Sequence, residues 1–238
     1  MKRNSGRLIL LLCFLVSIGQ LATVIYLPSM PAIAHDLNAS PTQTELTLTL
    51  YMLAFGFSQL IYGPISDLAG RKHIIMIAML IYIAGSVISA TAPNITMLLF
   101  ARFIEGFGAG GITSLARAAN NDLFTGHKLT KALTYTSIAA SLASMLSPTL
   151  GGFIQEYTVW RFNFWVLTGY TLFFLVLAYF FFPPIKPKVK RSMWSRRAAV
   201  NNRISVSADH FAGSPSSTRR RISSAPSEPP GSRVRTTS

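Results

Sequence analysis

The sequence has little charge and almost no cysteine. Only 13% of its 238 residues are charged, about half the share found in soluble domains, which excludes an ordinary globular surface. Cys13 is the single cysteine, which excludes a disulfide scaffold. The four histidines are scattered along the chain, and we therefore expect neither a metal site nor a cofactor.

Apolar residues are abundant instead, since half of the chain is hydrophobic and its mean hydropathy is +0.40. Against that background a net charge of +14 is unusual, and it is unevenly distributed. Residues 1–185 carry a net charge of +4, whereas residues 186–238 carry +10. The sequence therefore divides into a hydrophobic body and a basic tail.

Stretches without Lys, Arg, Asp or Glu predict membrane-spanning helices in the body. Five such stretches are 21–29 residues long, and about 20 apolar residues cross the hydrocarbon core as a helix. A sixth apolar stretch contains Arg102 and Glu105. Buried helices of a soluble protein are the alternative for any one stretch, but not for six in succession. The predicted spans of this all-α integral membrane fold are residues 8–29, 46–66, 74–92, 96–116, 132–154 and 163–182.

The first span has the basic flank of a signal peptide, but it is longer than a typical signal-peptide core and no small-x-small cleavage site follows it. We therefore predict a retained helix. Loop charges then predict the orientation. With the N-terminus inside, the outside loops carry only Arg161 as a basic residue. The inside segments before the tail carry eight basic residues, namely Lys2, Arg3, Arg7, Arg71, Lys72, Arg117, Lys128 and Lys131. This asymmetry follows the positive-inside rule and places the N-terminus and the tail in the cytoplasm.

The connection between the second and third spans has a distinctive pattern. Gly70 allows a positive φ in a tight turn, Asp67 is suited to bond free backbone donors at a helix start, and two basic residues follow. The pattern resembles the G-x-x-x-D-R-x-G-R-[RK] signature of the major facilitator superfamily, in which this connection is a gating loop. The matching residues are Gly63, Asp67, Gly70, Arg71 and Lys72. Leu68 departs from the usual basic residue, so we expect a weaker charge network there.

Two further motifs are similar to those of drug:proton antiporters of the Bcr/CflA or EmrD type. Residues 25–37 resemble Y-L-P-x-x-P-x-I-x-x-D-L. In the fifth span Pro148, Gly151 and Gly152 match G-P-x-x-G-G, with Ser147 replacing the first glycine. The resemblance implies the N-terminal six-helix half of a twelve-helix, proton-coupled multidrug exporter of the cell (inner) membrane. It also implies that the fifth-span motif bends that helix and lets it pack closely.

Two ionisable residues lie within a predicted span, and such residues mark function by default. Arg102 and Glu105 share one helix face at i, i+3 and can pair. With Gly106 and Gly108 they match the R-x-x-[QE]-G-x-G pattern of the family, which implies a role for Arg102 in proton coupling. Glu105, where glutamine is common, adds a candidate proton carrier. The alternative is an ion pair that only orients the helix, and the glycines are expected to serve helix packing.

The resemblance also locates the substrate cavity. In this fold the first, second, fourth and fifth spans line a cavity near the bilayer midplane. Candidates for a mostly apolar site with a few polar anchors are Gln20, Tyr26, Tyr51, Phe55 and Gln59. The implied partners are the lipid bilayer, small lipophilic drugs and protons, and no nucleic acid.

Residues 186–238 are predicted to form a disordered cytoplasmic tail. From Arg191 onward the chain has nine arginines, no lysine and no apolar run longer than three residues, a composition that cannot bury a core. Lipid binding, nucleic-acid binding and phosphorylation around residues 219–223 are alternatives. We expect instead that the reading frame is shifted or truncated from about Arg191.

The predicted function is multidrug efflux, lost in a truncated chain unless a homodimer supplies the second half. Alternating access needs one half to rock against the other around a shared site. The alternatives are a non-transporting membrane scaffold or partner subunit, and a sugar or metabolite carrier, against which the fifth-span motif argues. No histidine lies within a span and no nucleophile–base pair is visible, so an enzyme is not expected.

Overall fold

The computed structural model describes residues 5–182, and the regular structure in that range is entirely helical. The helices are α1 (Ser5–Val24), a 3₁₀ turn (Leu27–Ser29), α2 (Met30–Asp36), α3 (Pro41–Ala69), α4 (Arg71–Ala90), α5 (Ile95–Leu123), α6 (His127–Tyr157) and α7 (Arg161–Phe181). The range contains six segments long and apolar enough to cross a membrane, the first of which runs from Gly6 through α2. This confirms the predicted all-α membrane fold with six transmembrane helices. The predicted tail, 186–238, lies outside the described residues.

Local sequence explains where several helices begin. Ser40 and Gln43 form a capping box at the start of α3, in which each side chain bonds the other residue's backbone N–H at 3.2 and 3.0 Å. Asn94 caps α5 by accepting the Met97 backbone N–H at 2.9 Å. These contacts satisfy donors that the first helical turn leaves free.

The turn between α3 and α4 is shorter than the sequence predicts. Gly63 and Asp67 lie inside α3, Arg71 and Lys72 open α4, and Gly70 alone separates the two helices. Its φ of 93° and ψ of 133° belong to a region that favours glycine. The predicted connection, residues 67–73, is therefore a one-residue break, because the charged residues beside the apolar stretches are still helical.

Two further helices, α5 and α6, also extend beyond their predicted spans at both ends, whereas α1 ends at Val24, before the predicted residue 29. α5 has 29 residues and is about 44 Å long at 1.5 Å per residue, whereas the hydrocarbon core is about 30 Å thick. The predicted spans end where charged residues appear, but a helix continues through the headgroup layer, where water and phosphates solvate those charges.

Close helix contacts place α5 at the centre of the bundle, against α1, α3 and α4. A Cβ atom at Gly106 would overlap the Tyr51 carbonyl oxygen of α3, and one at Gly108 would overlap the Tyr82 backbone of α4. Small residues let helix backbones approach closely in lipid. The glycines of α5 therefore serve packing, as the sequence analysis expects.

Two helices are covered much less than the rest. The most apolar windows of α6 and α3 are 17% and 28% buried, compared with 33–56% for the other four spans. Large apolar side chains stand on these open faces, including Met52, Leu53 and Phe57 of α3 and Met145 and Phe153 of α6. Each of these two helices thus has a face that the described residues leave uncovered.

Candidate functional site

A fully buried arginine lies in the centre of the bundle. Arg102 is on α5, and the exposed fraction of its side chain is 0%. It follows the first residue of α5 by seven positions, which places it about 10 Å along the helix. A charge at that depth is costly unless other groups replace its hydration.

Two polar partners from different helices hold the Arg102 guanidinium. Its Nη1 donates to Glu105 Oε2 at 2.8 Å, one turn further along α5. Its Nη2 donates to the Ala22 carbonyl oxygen of α1 at 3.2 Å. The arginine therefore joins α1 to α5 and also forms the i, i+3 ion pair that the sequence predicts.

Aromatic rings cover both faces of the guanidinium. The centroids of the Tyr26 and Tyr51 rings each lie 4.2 Å from the Arg102 guanidinium carbon, and the Phe164 centroid lies 5.7 Å away. The Tyr51 hydroxyl donates to the Gly19 carbonyl at 3.1 Å, and the Tyr26 hydroxyl bonds Thr47 Oγ1 at 3.3 Å. A desolvated cation–π contact is worth about 2 kcal/mol. The two tyrosines thus replace part of the water that Arg102 lacks.

The Glu105 carboxylate is only half satisfied. Its Oε2 accepts from Arg102 and, at the long distance of 3.5 Å, from Ser89 Oγ of α4. Its Oε1 has no hydrogen-bond partner among the described residues, and the neighbouring Tyr82 hydroxyl makes no hydrogen bond of standard geometry to it. A buried oxygen without a hydrogen-bond partner is costly, and Oε1 is the carboxylate oxygen whose lone pairs are free to accept a proton.

The predicted cavity residues divide into two groups. Tyr26 and Tyr51 are fully buried against Arg102, so in this conformation they line no open space. Gln20, Phe55 and Gln59 are half-buried, and Gln20 Oε1 accepts from Ser144 Oγ of α6 at 3.0 Å. The assignment of all five to a drug cavity stays a prediction.

A second charged cluster lies at the end of the bundle where α3 meets α4. Arg71 is buried, and its Nη2 donates to Asp67 Oδ1 at 2.9 Å and its Nη1 to Ser66 Oγ at 3.1 Å. Its Nε donates to Asp122 Oδ2, in the last turn of α5. Asp122 was not predicted as a site residue, although it is one of only six acidic residues in the body and lies on the predicted cytoplasmic side with Arg71.

Two residues of the predicted gating loop, Lys72 and Gly63, lie outside the Arg71 cluster. Lys72 Nζ donates to the Tyr179 carbonyl oxygen near the end of α7 at 2.7 Å and lies 5.6 Å from the centroid of the Tyr179 ring. A Cβ built at Gly63 has no atom within 4 Å. The cluster therefore joins the ends of α3, α4 and α5, and Lys72 adds α7.

Residues of the fifth-span motif hold α6 against α1 and the segment that follows it through a hydrogen bond and a close backbone contact. Pro148 lies inside α6, and Ser147 Oγ donates to the Leu21 carbonyl oxygen at 3.1 Å. A Cβ at Gly151 would overlap the Ile25 carbonyl oxygen, whereas one at Gly152 would lie 4.0 Å from its nearest neighbour. Only one of the two glycines therefore makes a backbone contact that excludes a side chain.

No group of three or more His, Cys, Asp or Glu side chains within residues 5–182 could hold a metal ion.

Comparisons with known proteins agree with the fold and its motifs. The family model described as the Major Facilitator Superfamily matches residues 11–223. The uncharacterized MFS-type transporter YdgK of Bacillus subtilis (strain 168) is 38% identical over 170 residues, which is 70% of this chain and 42% of the relative. Multidrug resistance protein D of Escherichia coli (strain K12) is 33% identical over 162 residues, 68% of this chain and 41% of the relative.

Among solved structures, a bacterial homologue of the human lysosomal transporter Spinster, in an inward-facing and unoccupied conformation, aligns with a TM-score of 0.69 at 14% identity. The alignment covers 79% of this chain and 45% of that one, and at such low identity it shows the fold alone. The chain spans less than half the length of these curated relatives. The family match extends beyond residue 190, and the frameshift stays a prediction.

Proposed function

The chain belongs to the Major Facilitator Superfamily of transporters, and from that premise we propose that its activity is proton-coupled export of lipophilic drugs. The observation that carries the proposal is the fully buried Arg102–Glu105 pair with one unpaired carboxylate oxygen. The relative named multidrug resistance protein D supports the drug class. We place the protein in the cell (inner) membrane, with the N-terminus and the tail in the cytoplasm.

In this proposal Glu105 carries the proton. Binding of a proton at Oε1 neutralises the carboxylate and weakens its bond with Arg102. The Arg102 guanidinium then keeps its hydrogen bond to the Ala22 carbonyl oxygen of α1. It also keeps its contacts with the rings of Tyr26, in the segment that follows α1, and Tyr51, in α3. The protonation state of Glu105 thus changes the charge balance around Arg102, the residue through which α5 contacts α1, α3 and the segment after α1.

Transport also requires a second six-helix body, because alternating access rocks two such bodies around a shared site. The open faces of α3 and α6 are where we propose that it packs. A homodimer is the form of this assembly that the chain itself can supply. Drug would bind on the inner side of that contact, near Gln20, Phe55 and Gln59, which are half-buried.

Proteoliposomes with an acidic lumen test the proposal, with ethidium as the probe drug. Protons that leave the lumen should drive ethidium into it, and dissipation of the gradient with an ionophore should stop its accumulation. Glu105→Gln should abolish the gradient-driven component. Glu156→Gln, which makes the same change at an exposed glutamate, is the matched control and should retain it.

Two results would overturn the proposal. Ethidium accumulation that ignores the proton gradient would exclude coupling, and equal coupled flux in both variants would exclude Glu105 as the carrier. An absence of flux in the unaltered, monodisperse protein would favour the non-transporting scaffold or partner subunit.

A further inference from the structure

An apolar groove runs along the outside of the bundle between α1 and α7. Its volume is about 310 Å³, at the lower end of the range for small-molecule sites. Seven of the eight lining residues are apolar, and the eighth is Arg7. The groove is separate from the Arg102–Glu105 pair, because none of its lining residues belongs to that site.

The floor and the inner end of the groove are well defined. Leu11 and Phe174 are buried and form its floor, with exposed fractions of 6% and 7%. At the inner end the Phe14 ring stacks on Phe174 with centroids 4.6 Å apart. One turn further along, Ser17 Oγ and the Tyr170 hydroxyl are hydrogen-bonded at 2.8 Å, and this polar pair joins the two helices beyond the groove.

The other side of the groove faces outward. Leu10 and Phe181 line it and keep 57% of their side chains exposed, which in a membrane means contact with lipid. Because α1 and α7 run in opposite directions, the start of α1 and the end of α7 meet at one end of the bundle. From Arg7 to Phe14 the groove extends seven residues, or about 10 Å along the helix.

Positive charge is concentrated at the open end. Arg7 is exposed and forms no ion pair or hydrogen bond with any other residue of the described range. In the sequence it follows Lys2 and Arg3, and no acidic residue occurs before Asp36. Basic pockets between transmembrane helices near the membrane surface recognise anionic lipid headgroups.

We propose that this groove binds an anionic phospholipid, with the phosphate on Arg7 and one acyl chain lying along Leu11 and Phe174. An amphiphile with a negative head and an apolar chain complements both the charge and the walls. A lipophilic cation, the probe class for the transport site, would meet repulsion from Arg7. The groove opens toward the bilayer, where phospholipid is the abundant amphiphile.

Native mass spectrometry of the full chain tests the proposal. The protein is released from micelles that contain equal amounts of phosphatidylglycerol and phosphatidylcholine, and the bound lipids are counted by mass. The unaltered protein should retain phosphatidylglycerol in preference. Arg7→Gln should lower phosphatidylglycerol occupancy about fivefold, the effect of one basic residue near an anionic surface, and leave phosphatidylcholine unchanged. Arg117→Gln, at another exposed arginine, should behave like the unaltered protein.

A second pair of variants tests the acyl-chain contact. Leu177→Trp fills the groove and should displace the retained lipid, whereas Val176→Trp, at the adjacent exposed position outside the groove, should not. Equal retention of both lipids, equal behaviour of the two arginine variants, or equal retention by the two tryptophan variants would each overturn the proposal. None of these measurements depends on transport, so their outcome is independent of the proposed function.

Discussion

Arg102 shows how a single charge is accommodated inside this bundle. Its guanidinium has one carboxylate, one backbone carbonyl and two flanking rings, which together replace the water lost on burial. A buried pair is weak evidence for stability by itself, because desolvation offsets much of the attraction. Removal of only one partner is different, since it leaves an uncompensated charge.

Arg102→Met should therefore destabilise the protein by about 3–5 kcal/mol, because the Glu105 carboxylate stays buried without its cation. The double variant Arg102→Met/Glu105→Met should recover most of that loss, since no isolated charge remains. Reversible unfolding in mixed micelles, followed by circular dichroism, measures the free energies of unfolding. A double variant as unstable as the single one would show that Arg102 stabilises the bundle through its aromatic and carbonyl contacts instead.

At this scale the sequence predicts only part of the site. The pairing of Arg102 with Glu105 follows from their i, i+3 spacing on one helix. The contacts of Arg102 with Ala22, Tyr26 and Tyr51 do not, because these residues lie on other elements and periodicity carries no information about which helices touch. Asp122 was missed for the same reason, since its pairing with Arg71 depends on α4 packing beside α5.

At the scale of one element, α6 makes one especially close backbone contact with the segment that follows α1. Gly151 lies directly against the Ile25 carbonyl oxygen, whereas a Cβ at Gly152, one residue further, would be 4.0 Å from its nearest neighbour, which is an ordinary contact distance. Both match the same sequence motif, so the sequence cannot rank them, and the structure separates them by which face of α6 each occupies.

Gly151→Ala should lower the free energy of unfolding by about 1–3 kcal/mol, the cost typical of overpacking a close contact. The identical change at Gly152 should have little effect, because its Cβ would lie 4.0 Å from the nearest atom, on Pro28. Thermal unfolding of the two variants in detergent compares them directly. Equal effects at both positions would contradict the close contact between Gly151 and the Ile25 carbonyl oxygen.

The break between α3 and α4 rests on one residue as well. Gly70 has a positive φ that side chains rarely adopt, so Gly70→Ala should cost about 1–3 kcal/mol of strain. Gly169→Ala is the matched control, because Gly169 lies within α7 with nothing within 4 Å of its Cβ position. That control should be neutral or slightly stabilising. Thermal unfolding measures both, and an unaffected Gly70→Ala variant would argue against this turn geometry.

At the scale of the whole molecule, the number of membrane-spanning segments was predictable because a membrane imposes a minimum length of apolar chain, whereas the short α2 was not predicted. The helix ends were not, since helices such as α5 and α6 continue beyond the apolar core. The uncovered faces of α3 and α6 could not be predicted from hydropathy either, because an apolar side chain has the same hydropathy whether it faces lipid or another helix.

Orientation is a property of the whole molecule that the charge distribution predicts. With eight basic residues on one side and Arg161 alone on the other, the connection before α3 should face outside and the one before α6 inside. In a Cys13→Ser background, Thr42→Cys and Thr125→Cys place one thiol at an exposed position of each connection or its first helical turn. A membrane-impermeant maleimide should label the first variant in intact cells and the second only after permeabilisation. The opposite pattern would invert the topology and move the Arg71 cluster to the outer face, where the positive-inside rule could no longer account for Lys72, Lys128 and Lys131.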